Sequence, residues 1–559
     1  MSNKNYDVIL EFGIKQTMRD GINLSSYIYR PDSKSKFPVI LTRTPYSTVD
    51  GFFKRFDEEA RFFASKGYVY MIQDCRGKNE SDGVFNPFYD DNYDGYDTIK
   101  WILSQKWSNG NIGTIGASYS AWNQWATAVL DPPGLKTMIS IVALPDPVIN
   151  VPYQNGVLVL PMAEWMAIIE GRRNIPAEIY NTEQILWHLP LKTIDKEFGR
   201  TSNIWNNWIA HPSADDFWTR TFYQDKLDRI HIPVLHVSGW YDDDLIGTHL
   251  NYTTVTHSPK FDQSYYQKLI IGPWQHKVNR TTKIGDIDFG NSALIDLRNI
   301  ELNWFNRFLK DEDNGINRDL PVEIFVMGEN KWKKYSSWPP ENIKYVPYYL
   351  HSKGKANSLY GDGLLNDSAP IASESIDKYV YDPSNPVRCV LDPQEISAEG
   401  PFDQRPVERR DDVLVYQTDP IERDIEVSGP IKLKLFVSSS AIDTDFWAQV
   451  TDVYPNGYSM HLTENILRAT YRNSLKKYEK LNSEEIYEIE IDLWAISNLF
   501  KKDHCIRLDV SSSCFPKYNR NLNNGHKYYG EETKFNTAVQ KIYHNQKHPS
   551  QLMLPILKK

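Results

Sequence analysis

Cysteine is scarce: Cys75, Cys389, Cys505 and Cys514 are the only four in 559 residues, and no two form a C-x-x-C pair. Their spacing suggests neither a zinc site nor a disulfide framework, and it fits a reducing compartment. Long apolar runs are also missing. The longest, Val157 to Ile169, is broken by Pro161 and Glu164 and is too short to cross a bilayer. Met1 to Gly21 is polar and mixed in charge, without a secretory signal pattern. A cytoplasmic protein without a membrane partner is expected, and the sequons at Asn251 and Asn279 then carry no meaning. No block of Lys and Arg stands out, and the net charge of −9 offers no footprint for nucleic acid. H-E-x-x-H and haem motifs are absent, and Gly110, Gly113 and Gly116 have the wrong spacing for a dinucleotide fingerprint. No cofactor and no metal are expected. Internal repeats and long low-complexity linkers are absent as well, and the oligomeric state is not readable.

What is present is an ordinary globular balance, 41% hydrophobic and 24% charged, with an aromatic content of 13%. Most of the 16 Trp and 34 Tyr belong in cores, although clefts that bind apolar groups also use them. The length exceeds what one core can fill and suggests about three or four domains.

One stretch organises the rest. Ile112 to Ala117 reads as a buried strand, Ser118 follows, and a helical pattern continues through Trp125, Ala128 and Val129. A serine on so tight a strand-to-helix turn needs small residues two places before and two after it, and Gly116 and Ser120 supply them. The usual pattern is Gly-x-Ser-x-Gly, so Ser120 is a mild departure. Alone, the pentapeptide is also compatible with an ordinary turn.

Around it, short apolar strands alternate with helices. Strands are expected at Leu24–Arg30, Phe37–Thr44, Tyr68–Gln73 and Thr137–Val142, with helices near Glu58–Ser65 and Asp90–Gln105. This rhythm argues for a mainly parallel sheet covered on both faces. From about Pro145 to Ile230 it gives way to helical stretches rich in Trp (165, 187, 205, 208, 218), read as an inserted cap. It resumes with Pro233–Gly239, a helix near Leu245–His257, Lys268–Gly272, a helical stripe over Leu294–Leu309 and Pro321–Met327 as the last strand. Beyond Gly328, short alternating runs such as Tyr345–Leu350, Ile431–Ser438, Phe446–Val453 and Cys505–Ser511 suggest a β-sandwich or jelly roll. The expected division is 1–144 and 231–328 for the α/β core, 145–230 for the cap and 329–559 for the β-domain.

A serine hydroxyl becomes nucleophilic only when a base removes its proton, and a carboxylate must hold that base in one tautomer. In sheets of this kind the partners follow in the order Ser, Asp or Glu, His, each in a loop after a strand. Pro233–Gly239 is followed by Trp240-Tyr241-Asp242-Asp243-Asp244, and Lys268–Gly272 by Pro273-Trp274-Gln275-His276. Asp242 can equally cap the next helix, unless Asp243 or Asp244 does so. Of the 13 histidines, His236 and His249 compete with His276, but one falls inside a strand and the other inside a helix. An oxyanion hole needs two donors. The backbone N–H of Tyr119 is one by geometry. The loop after the early strand, Arg43-Thr44-Pro45-Tyr46, lacks a Gly-rich run, so the Tyr46 phenol becomes the second candidate, with a packing role as its alternative. Asp74-Cys75-Arg76-Gly77 and Ser81-Asp82-Gly83 lack the spacing of a phosphate or calcium loop and are read as structure beneath the site.

Together, Arg43 to Tyr46, Gln73 to Gly77, the serine elbow, Gly239 to Asp242 and Gly272 to His276 resemble the cocaine-esterase-like (CocE/NonD) hydrolases. These are related to X-Pro dipeptidyl-peptidases and to α-amino acid ester and glutaryl-cephalosporanic acid acylases. Gly400 to Gln404, Arg410 to Leu414, Asp443 to Phe446, Leu467 to Ala469 and Ser512 to Pro516 extend the likeness over nearly the whole chain. The resemblance implies an α/β hydrolase domain with an inserted helical cap and a C-terminal jelly-roll domain. It also implies Ser118 as nucleophile, His276 as base, Asp242 as its orienter, and Tyr119 N–H and Tyr46 O–H as oxyanion donors. The expected activity is hydrolysis of a small ester, amide or short peptide through an acyl-enzyme. X-Pro dipeptide release, which needs a carboxylate for the free amine (Glu164 and Glu170 are available), is the alternative. A non-catalytic binding protein is the remaining rival.

Overall fold

The computed structural model describes residues 5–46, 51–370, 374–392, 399–527 and 529–558. The first part of the chain forms β1 (Val8–Thr17), β2 (Asn23–Pro31), β3 (Phe37–Thr44), α1 (Gly51–Ser65), β4 (Val69–Asp74), α2 (Asp91–Leu103), β5 (Ser108–Ala117), α3 (Tyr119–Ala128) and β6 (Leu135–Ile141). These strands join four later ones in a sheet of ten, ordered β1, β2, β4, β3, β5, β6, Val234–Tyr241, Gln267–Gln275, Val322–Val326 and Lys331–Tyr335. Neighbours from β4 to Val322–Val326 run parallel. The strands at the two ends are antiparallel. Pro321–Met327 is therefore not the last strand: Lys331–Tyr335 folds back on it across the Gly328 turn.

The central strands are apolar along their length because both sheet faces are covered. Phe63 of α1 packs with Trp304 and Phe305 of the helix Leu297–Lys310 on one face. Ile99 of α2 and Trp122 and Trp125 of α3 fill the other. Each buried aromatic removes about 200 Å² from water, roughly 5 kcal/mol at about 25 cal/mol per Å². Gly113 of β5 allows the far helix to approach closely, since a Cβ there would lie 2.8 Å from the Phe305 ring.

Between β6 and Val234 the chain is mainly helical, with α4 (Met162–Ile169), a helix at Asn203–Ala210 and several single turns. A pair of two-residue strands, Tyr153–Gln154 and Val157–Leu158, precedes the first of these helices. Trp205, Trp208 and Trp218 are the buried centre of this segment.

The rest of the chain is mostly β, an eleven-stranded and almost wholly antiparallel sheet. Its longest strands are Ile425–Ser439 and Tyr487–Phe500. This sheet abuts the strand ends of the first: the Tyr241 phenol donates to His461 O at 3.1 Å, and Gln275 Nε2 donates to Glu399 O at 2.7 Å. The helical segment meets it through Leu160 N–H to Lys517 O at 2.9 Å.

One expectation from the cysteine spacing is corrected here. Cys389 and Cys514, 125 residues apart, form a disulfide within the β region. The fold brings together what the sequence separates, so the argument for a reducing compartment falls with it. Cys75 and Cys505 are buried and free. Among the described residues no helix is long and apolar enough to cross a membrane.

Candidate active site

Ser118 sits where β5 turns directly into α3, with φ 60° and ψ −128°, a backbone that a residue with a Cβ adopts only under strain. The turn is tight enough that a Cβ at Gly116 would lie 2.5 Å from Ser120 O and 2.7 Å from Ser120 Cβ. A serine in place of the usual glycine at 120 is accommodated, with its side chain buried at the start of the helix. Ser118 N–H is held by Ile141 O at 3.0 Å, and its carbonyl accepts from Ala121 and Trp122, which fixes the start of α3.

Val234–Tyr241 and Gln267–Gln275 are adjacent in the sheet, so the loops after them meet. His276 Nδ1 lies 2.8 Å from Asp242 Oδ1, 3.2 Å from Asp243 Oδ1 and 3.7 Å from Asp244 Oδ2. Asp242 is oriented from behind: Ser238 Oγ donates to its Oδ2 at 2.6 Å and Asp244 N–H to its Oδ1 at 3.2 Å. Its side chain does not cap the following helix. Asp244 precedes that helix and instead accepts from Asn150 Nδ2 at 2.9 Å.

Burial works against a charged imidazole, but Asp243 and Asp242 outweigh it and hold the His276 pKa well above the ordinary value. Burial raises Asp242 and Asp244, while Asp243, whose side chain is only half-buried, is drawn below its usual value by His276 in spite of its own desolvation. Donor atoms of the four residues lie within 4.8 Å of one another, a set that could hold a cation, although the imidazole N–H already uses the acids. The competitors are structural. His236 is buried between Trp125 and Tyr252 with Nε2 3.0 Å from Gln267 Oε1, and His249 accepts from Trp338 Nε1 at 2.9 Å. Burial pushes both down to about 4.

Tyr46, two residues after β3, carries its phenol to the elbow, where burial raises its pKa against the opposing pull of Trp165 and Ser118, and it accepts from Trp165 Nε1 at 3.4 Å. Among the described residues no hydrogen bond joins Ser118 to His276. Of the expected row, the imidazole–carboxylate link is present and, among the described residues, the hydroxyl–imidazole bond is not. Such bonds commonly tighten only once substrate is bound. Tyr119 N–H is the first of α3 and makes no backbone hydrogen bond among the described residues. The Tyr119 side chain is turned away, its phenol donating to Asp91 Oδ2 at 2.5 Å.

Three contacts here are not legible in sequence: the Trp165 indole on Tyr46, the second acid on His276, and the role of Lys78. The Lys78 ammonium is buried and donates to Ile169 O and, at 2.6 Å, to Gly171 O, so the Arg76–Lys78 loop grips the C-terminal end of α4. Arg76 and Asp74 are paired, Arg76 with Asp94 at 2.6 Å and Asp74 with Asn79 at 2.9 Å, as the structural reading of that loop requires.

A nucleophile-type elbow at the end of a parallel strand, in a sheet that also carries a carboxylate-held histidine after a later parallel strand, defines a hydrolase of the α/β class. Comparison with known proteins agrees. Residues 20–278 match the model of the X-Pro dipeptidyl-peptidase (S15 family), and residues 314–553 match the X-Pro dipeptidyl-peptidase C-terminal non-catalytic domain. Cocaine esterase of Rhodococcus sp. (strain MB1 Bresler) is 34% identical over the whole of both chains. An aminopeptidase from a marine sediment Thaumarchaeota archaeon superposes with a TM-score of 0.85 at 26% identity, covering 100% of this chain and 98% of its own. An α-amino acid ester hydrolase does so at 0.84 and 24% identity, with the same coverage, and shares the fold. The chain belongs to the cocaine-esterase-like (CocE/NonD) family of serine hydrolases. It is an enzyme, which sets the binding-protein reading aside.

Proposed function

We propose that Ser118, His276 and Asp242 form a catalytic triad that cleaves an ester or amide bond of a small substrate through an acyl-enzyme. The observation that carries this is the His276 imidazole, locked at Nδ1 by Asp242, acting on the same Tyr46 phenol as Ser118, a serine on a strained turn. Ser118 Oγ attacks the carbonyl carbon as His276 Nε2 takes its proton. Tyr119 N–H and the Tyr46 phenol hold the resulting oxyanion. His276 then returns the proton to the leaving group, which departs as the carbonyl re-forms on Ser118. Water attacks the acyl-serine, gives its proton to His276, and the acid product leaves as Ser118 is re-protonated.

In this reading residues 145–230 act as a helical cap that roofs the cleft and restricts it to small substrates. Residues 1–144 and 231–328 form the hydrolase core, and 329–559 a jelly-roll domain that closes one side. Among leaving groups, esters come before X-Pro dipeptides. Glu164, one of the two cap carboxylates available to grip a free α-amine, accepts the Thr182 hydroxyl. Hydrolysis of p-nitrophenyl acetate and of Gly-Pro-p-nitroanilide, measured side by side, tests this. The ester is expected to turn over at least about 100-fold faster in kcat/KM, and a preference for the anilide would reverse the order.

A further inference from the structure

We propose that Trp165 is a positioning residue for the oxyanion hole: its indole N–H fixes the Tyr46 phenol so that the phenolic proton points at the reacting oxygen. The inference rests on the reading of Tyr46 as an oxyanion donor.

An indole nitrogen can only donate, so in the 3.4 Å contact Trp165 Nε1 is the donor and the Tyr46 oxygen the acceptor. That occupies one lone pair of the phenol and leaves its own O–H to be given elsewhere. Ser118, at the head of α3, is close enough to that phenol to act on its pKa. When a substrate carbonyl becomes an oxyanion at Ser118, the proton is already aimed at it. A phenol that accepts one hydrogen bond is also a stronger donor of the next.

The indole is itself held rigidly. Trp165 stacks on Trp208 at 6.2 Å, on Tyr119 at 6.1 Å and on Phe88 at 6.3 Å. The helix that carries it, α4, is gripped at its C-terminal end by the buried Lys78 ammonium. The main chain of Tyr46 is fixed from the sheet side, its N–H to Thr44 Oγ1 at 3.1 Å and its carbonyl by Asn79 Nδ2 at 3.4 Å. Thr44, Lys78 and Asn79 belong to the first sheet and its loops, whereas Trp165 comes from the helical insertion. The insertion therefore completes the catalytic electrostatics as well as roofing the site.

The test removes the N–H and keeps the ring. Trp165→Phe, and site-specific replacement of Trp165 by β-(3-benzothienyl)alanine, which has sulfur in place of the N–H, are compared with Tyr46→Phe and the Trp165→Phe/Tyr46→Phe double variant. The readouts are p-nitrophenyl acetate hydrolysis and the rate of phosphonylation by a fluorophosphonate. Both Trp165 replacements are expected to lower kcat and the phosphonylation rate about tenfold, with KM moving less than about twofold. Tyr46→Phe should lose about 100-fold or more, and the double variant no more than Tyr46→Phe alone. Two results would overturn the inference: full kcat in the benzothienyl variant while Tyr46→Phe is impaired, or additive losses in the double variant. Wild-type rates in Tyr46→Phe would instead remove the oxyanion role of Tyr46, and with it both readings.

Discussion

Among the histidines that carboxylates hold, His276 in the first sheet region and His544 in the second make the sharpest contrast, and of these two only His276 has the form of a base. His544, in the second region, is closed on both edges, with Nδ1 3.0 Å from Glu374 Oε2 and Nε2 2.9 Å from Asp377 Oδ2. Ser352 Oγ at 2.7 Å and the Tyr416 phenol at 2.8 Å also bind Asp377, and no part of the His544 side chain is exposed. His276 gathers its acids on Nδ1 alone, and 27% of its side chain remains open. For both, burial opposes the charge and the acids overcome it, so the direction of the shift does not distinguish them. The geometry does. Acids on both nitrogens make a locked cation, whereas acids on one nitrogen leave the other edge for proton transfer.

The largest expected contrast comes from paired substitutions. Asp242→Asn should lower kcat/KM by about 10⁴ through loss of the orienting carboxylate, with thermal stability little changed. Asp377→Asn should leave kcat/KM within about twofold but destabilise the fold by about 3 kcal/mol, read from urea unfolding, because a buried charge loses its partner. A large rate loss in Asp377→Asn would erase the distinction.

A smaller effect is expected at Asp243. On the proposed mechanism His276 must be neutral to take a proton, so an imidazole held above its ordinary pKa would move the acid limb of kcat/KM to higher pH. Asp243 is the largest contributor that raises it, and Asp243→Asn should therefore shift that limb downward and increase the relative rate on the acid side. An unmoved limb would mean that Asp243 faces solvent when the enzyme works.

The weakest effect is the pH dependence of that stability loss. His544 is raised on folding, so its contribution is full below the unfolded value of about 6.5 and is lost as pH rises through the folded one. Asp377 is lowered by His544 in spite of burial, so its contribution is present above about 3.9 and is lost as pH falls through the folded value. The stability difference between wild type and Asp377→Asn should thus be greatest between about pH 4 and 6.5 and shrink in alkaline buffer. A difference that grows with pH would contradict the clamp.

How much of this could be read from residues alone follows from the range over which each signal acts. Buried parallel strands such as Phe37–Thr44 and Val69–Asp74 declare themselves as apolar runs bounded by punctuation, and both lie where the pattern puts them. β1 does not. It is an edge strand carrying Glu11 and Lys15, with a register shift between Glu11 and Ile14 that blurs its alternation. The elbow is local, so the spacing of Gly116, Ser118 and Ser120 is enough to find it. The division of labour among Asp242, Asp243 and Asp244 depends on side-chain rotation, which spacing does not carry. Trp165 meets Tyr46 across 119 residues, and Cys389 meets Cys514 across 125. Neither contact leaves a local trace.

The central claim, that the open edge of His276 activates Ser118, is tested most directly by labelling with a fluorophosphonate and mapping the adduct by peptide mass spectrometry. One phosphonyl group per chain on Ser118 is expected, formed at least about 1,000-fold more slowly in His276→Ala with the serine intact. A label on any other residue, or an undiminished rate in His276→Ala, would contradict it.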